Sequence, residues 1–252
     1  MTGSRNEGRA VRRTWLALAF LAAFSCTKNE RGSESVSAGN DNPQAKLTPQ
    51  PSPLTARTPG TSRRSVIFVG TSITAGLGLE PDSAYPSLIQ QKIDSAGLPV
   101  SVVNAGVSGE TTSGLLQRLD WLLRGNFDVL ILETGANDGL RGIPAGTVRQ
   151  NIQTAVNRIK ASRPSARIML VQMEALPNLG PRYAADFHAI YPELSKELGV
   201  PLVPFLLDGV AGRSELNQSD GIHPNQRGER IVANNIWKSL RPVLDSLASG
   251  SD

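Results

Sequence analysis

One cysteine, Cys26, is all that this chain of 252 residues contains, so no intramolecular disulfide and no redox cysteine pair is available to it. Two histidines, His188 and His223, are too few and too far from any cysteine for metal-ligand spacing, and no metal or other cofactor is expected. No Gly-Lys-Ser/Thr follows Gly70, and Gly76-Leu77-Gly78 lacks the third glycine of a dinucleotide fingerprint, which argues against a phosphate cradle. The chain also lacks a strong charge bias. Its net charge of +4 arises largely in residues 1–26, which hold four of the 26 basic residues and one of the 22 acidic ones. The remainder is close to neutral, and nucleic acid is not implied as a partner.

Long uncharged apolar runs are missing too. The longest begins at Trp15 and ends at Phe24, too short to span a bilayer as a helix, and it follows Arg5, Arg9, Arg12 and Arg13. Charge followed by a short apolar stretch is the pattern of a secretory signal, so residues 1–26 are expected to direct export, to the periplasm of a bacterium or as a membrane-anchored lipoprotein. The stretch "LAAFSC" resembles a bacterial lipoprotein cleavage box, which makes Cys26 a candidate lipid anchor to a membrane. Ala23 and Phe24 depart from the usual leucine and small residue of that box, and a simply cleaved secretory peptide is the alternative. Residues 27–64 are rich in Ser, Thr, Pro, Gly, Asn and Gln. Such a segment buries too little apolar surface to offset its ordering entropy, so a disordered tether is expected there. The folded domain is placed at 65–248 and is read as a monomer.

Within that domain, strands and helices alternate. "SVIFV" (65–69), "VSVVNA" (100–105), "DVLILET" (128–134) and "RIMLVQ" (167–172) are the continuous apolar runs of strands covered on both faces, and "VPLVP" is a shorter one. Between them, "YPSLIQQKI" reads as a helix. Leu115, Leu116, Leu119, Leu122 and Leu123 recur at helical spacing, as do Val148, Ile152, Ala155, Val156 and Ile159. A helix near 184–198 and a last one bearing Val232, Ile236 and Leu240 complete the order. Helices between buried strands point to an α/β fold with a central parallel sheet covered on both faces.

Parallel α/β sheets carry their chemistry in loops at the carboxyl ends of the strands. Ser72 follows the first strand at once, with Gly70 two residues before it, as expected for a nucleophile exposed on a tight turn. It is not the Gly-x-Ser-x-Gly elbow of the α/β-hydrolases, because Thr74 stands at the last glycine, and a lone serine in such a place is commonly a helix cap. A serine hydroxyl needs a base. His188 sits inside a predicted helix, whereas His223 lies in a polar loop three residues after Asp220, a spacing that lets one turn present carboxylate and imidazole together. Donors for a developing oxyanion are available in the backbone N–H groups of Ser72 and Gly109 and the side-chain amide of Asn137.

Taken together, "GTSIT", "NAGVSGETT", "GANDGLRG" and "DGIHPN" resemble the four sequence blocks of the SGNH (GDSL) hydrolases, in that family's order, with the likeness running over about 65–247. It looks most like the branch that holds the bacterial thioesterase I/lysophospholipase L1 and arylesterases. The resemblance implies a flavodoxin-like three-layer α/β/α sandwich. It also implies Ser72 as nucleophile, His223 as base, Asp220 as the orienting carboxylate, and Gly109 and Asn137 as oxyanion donors beside the Ser72 amide. The activity implied is that of a serine esterase acting on acyl esters or thioesters, lysophospholipids included.

Thr71 departs from the family pattern, which has an aspartate directly before the serine. A hydroxyl in place of a carboxylate that accepts backbone hydrogen bonds is expected to loosen the nucleophile's loop and slow the enzyme. In "MEALPNLGPRYAADF" (173–187), Leu176, Pro177, Leu179 and Pro181 are candidates for the wall of an acyl groove. A carbohydrate O-acetylesterase would use the same catalytic residues on short acyl groups, and a catalytically weak lipid-binding lipoprotein is the non-enzymatic alternative.

Overall fold

A computed structural model describes residues 63–249, so the leader, Cys26 and nearly all of the expected tether lie outside the described residues. Five parallel strands form one sheet: β1 (Arg64–Gly70), β2 (Val100–Gly106), β3 (Val129–Leu132), β4 (Arg167–Val171) and β5 (Leu202–Val203). Their order is β2-β1-β3-β4-β5. Val66, Ile67, Phe68 and all four residues of β3 are fully buried, which is why these strands read as unbroken apolar runs rather than alternating ones.

Among the described residues, seven α-helices accompany the sheet: α1 (Ser72–Ala75), α2 (Tyr85–Ser95), α3 (Thr112–Leu122), α4 (Ala136–Leu140), α5 (Ala145–Ser162), α6 (Pro181–Leu198) and α7 (Gln226–Ser249). α2 packs on α7, while α3 and α6 both pack on α5. Each helix turns its apolar stripe inward: Ile89 and Ile93 on α2, Val148, Ile152 and Ile159 on α5, and Val232, Ile236 and Leu240 on α7 are all fully buried. On α3 the buried stripe is Leu115, Leu119 and Leu122. Leu116 and Leu123 flank it only partly buried, because i, i+4, i+7 lies on one line and their positions fall beside it.

Sequence reading places the long elements within a few residues and misses the single-turn helices. α1 and α4 are single helical turns inside what reads as loops, and β5 shrinks to two residues paired with the end of β4. The strand order reverses direction at β1, whose neighbours are β2 on one side and β3 on the other. In an open parallel sheet that reversal opens a crevice at the carboxyl ends of the two strands. Ser72 follows one of them and Asn137 the other. Among the described residues, the sheet and the helices packed on it share one continuous buried apolar cluster, which gives this domain a core of its own to fold around.

Candidate active site

Ser72 is the first residue of α1, so its backbone N–H lies in the turn where a helix has no partner of its own to offer. Its side chain is nearly buried, and Oγ lies 2.7 Å from Nε2 of His223. The other ring nitrogen, Nδ1, lies 2.6 Å from Oδ2 of Asp220. A carboxylate accepts, so Nδ1 carries the hydrogen and Nε2 is left with its lone pair toward the serine hydroxyl. The Asp220 carboxylate also accepts the backbone N–H groups of Ile222 and His223, each at 3.0 Å. The bond from the His223 backbone and then the one from its ring lead in pulling the Asp220 pKa from 3.8 to about 2. Asp220 is thus ionised throughout the neutral range. The loop that holds both residues is pinned at its base, where Asn217 bridges Pro224 and the Gln218 N–H donates to the His223 carbonyl at 2.7 Å.

The oxyanion candidates come from the segments that follow β1, β2 and β3. The Asn137 amide donates one hydrogen to the Glu110 carbonyl at 2.9 Å, which fixes its plane and leaves the second hydrogen to donate elsewhere, and Asn137 lines the same pocket as Ser72. Glu110 is itself held by a bidentate Arg118, whose Nη2 also reaches the Ala105 carbonyl at 2.9 Å. Gly109 sits in the turn after β2 with φ of +77°, the left-handed region that a side chain would strain, and its carbonyl accepts from Arg141. Ser72, Asn137, Asp220 and His223 thus converge as their types require, with Gly109 next to the residue that orients Asn137. His188 does not join them: it projects from α6 to Glu174, with Nδ1 2.8 Å from Oε1.

Three carboxylates of this region escaped sequence reasoning. Glu133, immediately after β3 and fully buried, accepts the Thr71 N–H at 2.6 Å, the Thr71 hydroxyl at 2.9 Å and the Thr74 hydroxyl at 2.9 Å. The Thr74 oxygen in turn lies 2.8 Å from the Tyr85 hydroxyl. Burial raises the Glu133 pKa against these donors. The loosening expected from Thr71 is therefore not what the geometry gives. Thr71 acts as a donor to a buried carboxylate, and that bond ties the turn of Ser72 to the end of β3. Gly70 has to be glycine for this to happen, since a Cβ there would lie 2.0 Å from Thr74 Oγ1 and 2.5 Å from a Glu133 oxygen. Asp138, also buried, accepts the Thr112 N–H and hydroxyl at 2.8 and 2.7 Å and so staples α4 to the start of α3. Glu229 accepts the Tyr85 N–H at 2.7 Å at the entrance to α2. Neighbouring donors at distant sequence positions give each its role, a signal that no local pattern carries.

A pocket of about 410 Å³ opens beside the Ser72–His223 pair. Ile73, Leu140, Met173, Leu176, Phe205 and Leu207 make it mainly apolar, with Glu174 as its one acid. Of the four wall candidates from 173–187, Leu176 lines this pocket, Leu179 stands exposed outside it and Pro181 opens α6, while the Pro177 side chain lies outside the described set. Such an arrangement can take a proton from a hydroxyl, hold a developing oxyanion and house an apolar group. Among the described residues no group of His, Cys, Asp and Glu is set to hold a metal ion.

Comparison with known proteins agrees with this geometry. Residues 68–231 match the profile of the GDSL-like Lipase/Acylhydrolase family. The chain is 36% identical to esterase TesA of Pseudomonas aeruginosa, across 72% of this chain and 90% of that one. It is also 36% identical to thioesterase 1/protease 1/lysophospholipase L1 of Escherichia coli K12, across 72% and 85%. The crystal structure of the esterase EstA from Pseudoalteromonas, inhibited by monoethylphosphonate, superimposes with a TM-score of 0.69 at 31% identity, covering 72% of this chain and 99% of that one. The chain belongs to the GDSL-like lipase/acylhydrolase family and is an ester-hydrolysing enzyme.

Proposed function

We propose that Ser72 is the nucleophile of an acyl hydrolase, that His223 is its base and Asp220 its orienting carboxylate, and that the substrates are esters or thioesters of medium to long acyl chains. The observation that carries this reading is the Ser72–His223–Asp220 chain of contacts at 2.7 and 2.6 Å, opening into an apolar pocket. Oγ attacks the acyl carbonyl carbon as its proton passes to Nε2, and Asp220 stabilises the imidazolium that forms. The Ser72 and Gly109 N–H groups and the Asn137 amide receive the oxyanion. Collapse expels the alcohol or thiol, which takes the proton from Nε2. Water activated by the same nitrogen then releases the acid and restores Ser72.

The apolar lining favours acyl chains over the short acyl groups of a carbohydrate deacetylase, and the named activities of the relatives, thioesterase and lysophospholipase, fit the same class. Hydrolysis of p-nitrophenyl esters from acetyl to palmitoyl, with Ser72→Ala as control, tests both parts. Expected are a preference for longer chains and a loss on the order of 10³-fold or more in kcat on removing the nucleophile. An acetyl-only profile would leave the deacetylase.

The charged-then-apolar leader supports export, with residues 1–26 removed or lipidated at Cys26, 27–64 as tether and 65–248 as a monomeric catalytic domain. No helix of the described residues is long and apolar enough to cross a membrane, so in this reading the acyl group on Cys26 is what holds the enzyme there. If Cys26→Ala leaves the exported protein as firmly in the membrane fraction, the anchor is wrong.

A further inference from the structure

Large apolar side chains left exposed are few among the described residues, and they gather in one place. They are Leu77, Leu140, Leu176, Leu179 and Ile222, each between 38 and 45% exposed. Leu77 follows α1, Leu140 ends α4, Leu176 and Leu179 lie between β4 and α6, and Ile222 precedes His223. All therefore belong to the loops at the carboxyl edge of the sheet. Leu140, Leu176 and Ile222 line the outer part of the pocket itself. The turn of Leu77 is tied to the His223 loop, because Gln218 Nε2 donates to the Leu77 carbonyl at 2.7 Å. Leu179 stands over Gly142, two residues beyond Leu140. Scattered apolar residues on a surface need no explanation, but confinement to the mouth of an apolar pocket does.

We infer that this rim docks on a lipid surface, so that an acyl chain passes from the lipid into the pocket without crossing water. Two features favour lipid over another protein. The exposed rim is continuous with the pocket wall that receives the acyl group, and it is flanked by two cations suited to phosphate headgroups: Arg141, directly after Leu140, which donates to the Gly109 carbonyl at 3.1 Å, and Arg182, three residues after Leu179, its side chain almost wholly exposed and 4.0 Å from the Asp186 carboxylate. This docking role rests on the acyl-hydrolase reading of the site, since it gives the pocket an acyl chain to receive. Leu77 and Leu179 lie outside the pocket lining, so they separate docking from binding of a dissolved ester.

The test uses the domain from Thr61 onward, which lacks Cys26 and any lipid on it. Its Ser72→Ala form, which turns nothing over, is sedimented with vesicles of phosphatidylcholine containing one quarter phosphatidylglycerol. Binding is expected, and Leu77→Ser with Leu179→Ser in that background should weaken it on the order of tenfold or more. With Ser72 intact, the same pair of substitutions should leave kcat/KM for dissolved p-nitrophenyl butyrate within about twofold of the parent. The inference is overturned if the parent does not sediment with vesicles, if the double variant sediments equally well, or if its kcat/KM on the dissolved ester falls as far as its vesicle binding. It is overturned too if gel filtration shows a dimer that the double variant abolishes while vesicles go unbound, since a second copy would then cover the rim. Vesicle binding needs no turnover, so a failure of the hydrolase reading would appear separately, as no hydrolysis by the Ser72 form.

Discussion

Glu133 accepts three donors from the turn that carries Ser72, none of which has water to fall back on, and replacing it shows what that turn depends on. Glu133→Ala strands the Thr71 N–H and the Thr71 hydroxyl in a buried site and leaves the Thr74 hydroxyl with only its Tyr85 contact. At about 1–3 kcal/mol for each donor left unsatisfied, and with the two hydroxyls free to rotate, the loss is on the order of 3–6 kcal/mol. Against a total stability of roughly 5–15 kcal/mol, the alanine variant should be near unfolding. Glu133→Gln keeps an acceptor for the backbone N–H and relieves the cost of burying charge, so its stability should stay within about 2 kcal/mol of wild type. Its effect on catalysis should be larger. An amide presents its nitrogen to one of the donors, shifting Thr71 and the adjoining Ser72, and displacement of a nucleophile by about 1 Å is enough for roughly 10²-fold. Urea denaturation and p-nitrophenyl ester kinetics on both variants separate the two effects. The glutamine variant should lose about 10- to 100-fold in kcat with KM within about twofold. Glu133→Ala as stable and as active as wild type would refute the reasoning outright.

Further outcomes follow from the same contacts. Thr71→Val removes only the hydroxyl donor to Glu133 and should lower kcat about tenfold, with Thr71→Ser restoring it; steady-state kinetics decide. Asn137→Ala removes the proposed oxyanion donor and should reduce kcat about 10²- to 10³-fold with little change in KM, read in the same assay. Burial raises the Glu229 pKa from 4.5 to about 8, so the folded state holds a proton that the unfolded chain releases, and stability should fall as pH rises from about 4.5 to 8. At about 1.4 kcal/mol per pKa unit that loss is on the order of 5 kcal/mol. Glu229→Gln, which keeps an acceptor for the Tyr85 N–H, should remove most of the slope in urea titrations at pH 5, 7 and 9.

How much of this was legible beforehand depends on whether the cause lies close by in the chain. β1 and β3 announce themselves because strands covered on both faces must be apolar throughout, and α5 and α7 because one buried stripe fixes a period. Ser72 and the Asp220–His223 pair were readable for a similar reason: one turn presents the last two, and the end of a strand exposes the first. α4 was not, since five residues starting after a glycine with φ of +99° hold too little periodicity to distinguish a helical turn from a loop. Thr71 was misjudged because its partner lies 62 residues onward, and only the pairing of β1 with β3 brings the two together. Glu133 likewise reads as the polar end of a strand until its donors are in place. The rim leucines look like ordinary loop residues until the topology gathers them around one opening.

The measurement that bears most directly on the site is mass spectrometry of the enzyme after reaction with a fluorophosphonate, with the adduct located by peptide sequencing. One phosphonyl group per chain on Ser72, absent from Ser72→Ala and greatly slowed in His223→Ala, is the expected result. An unmodified Ser72 in a folded protein, or a stoichiometric adduct on another residue, would contradict the assignment of the nucleophile.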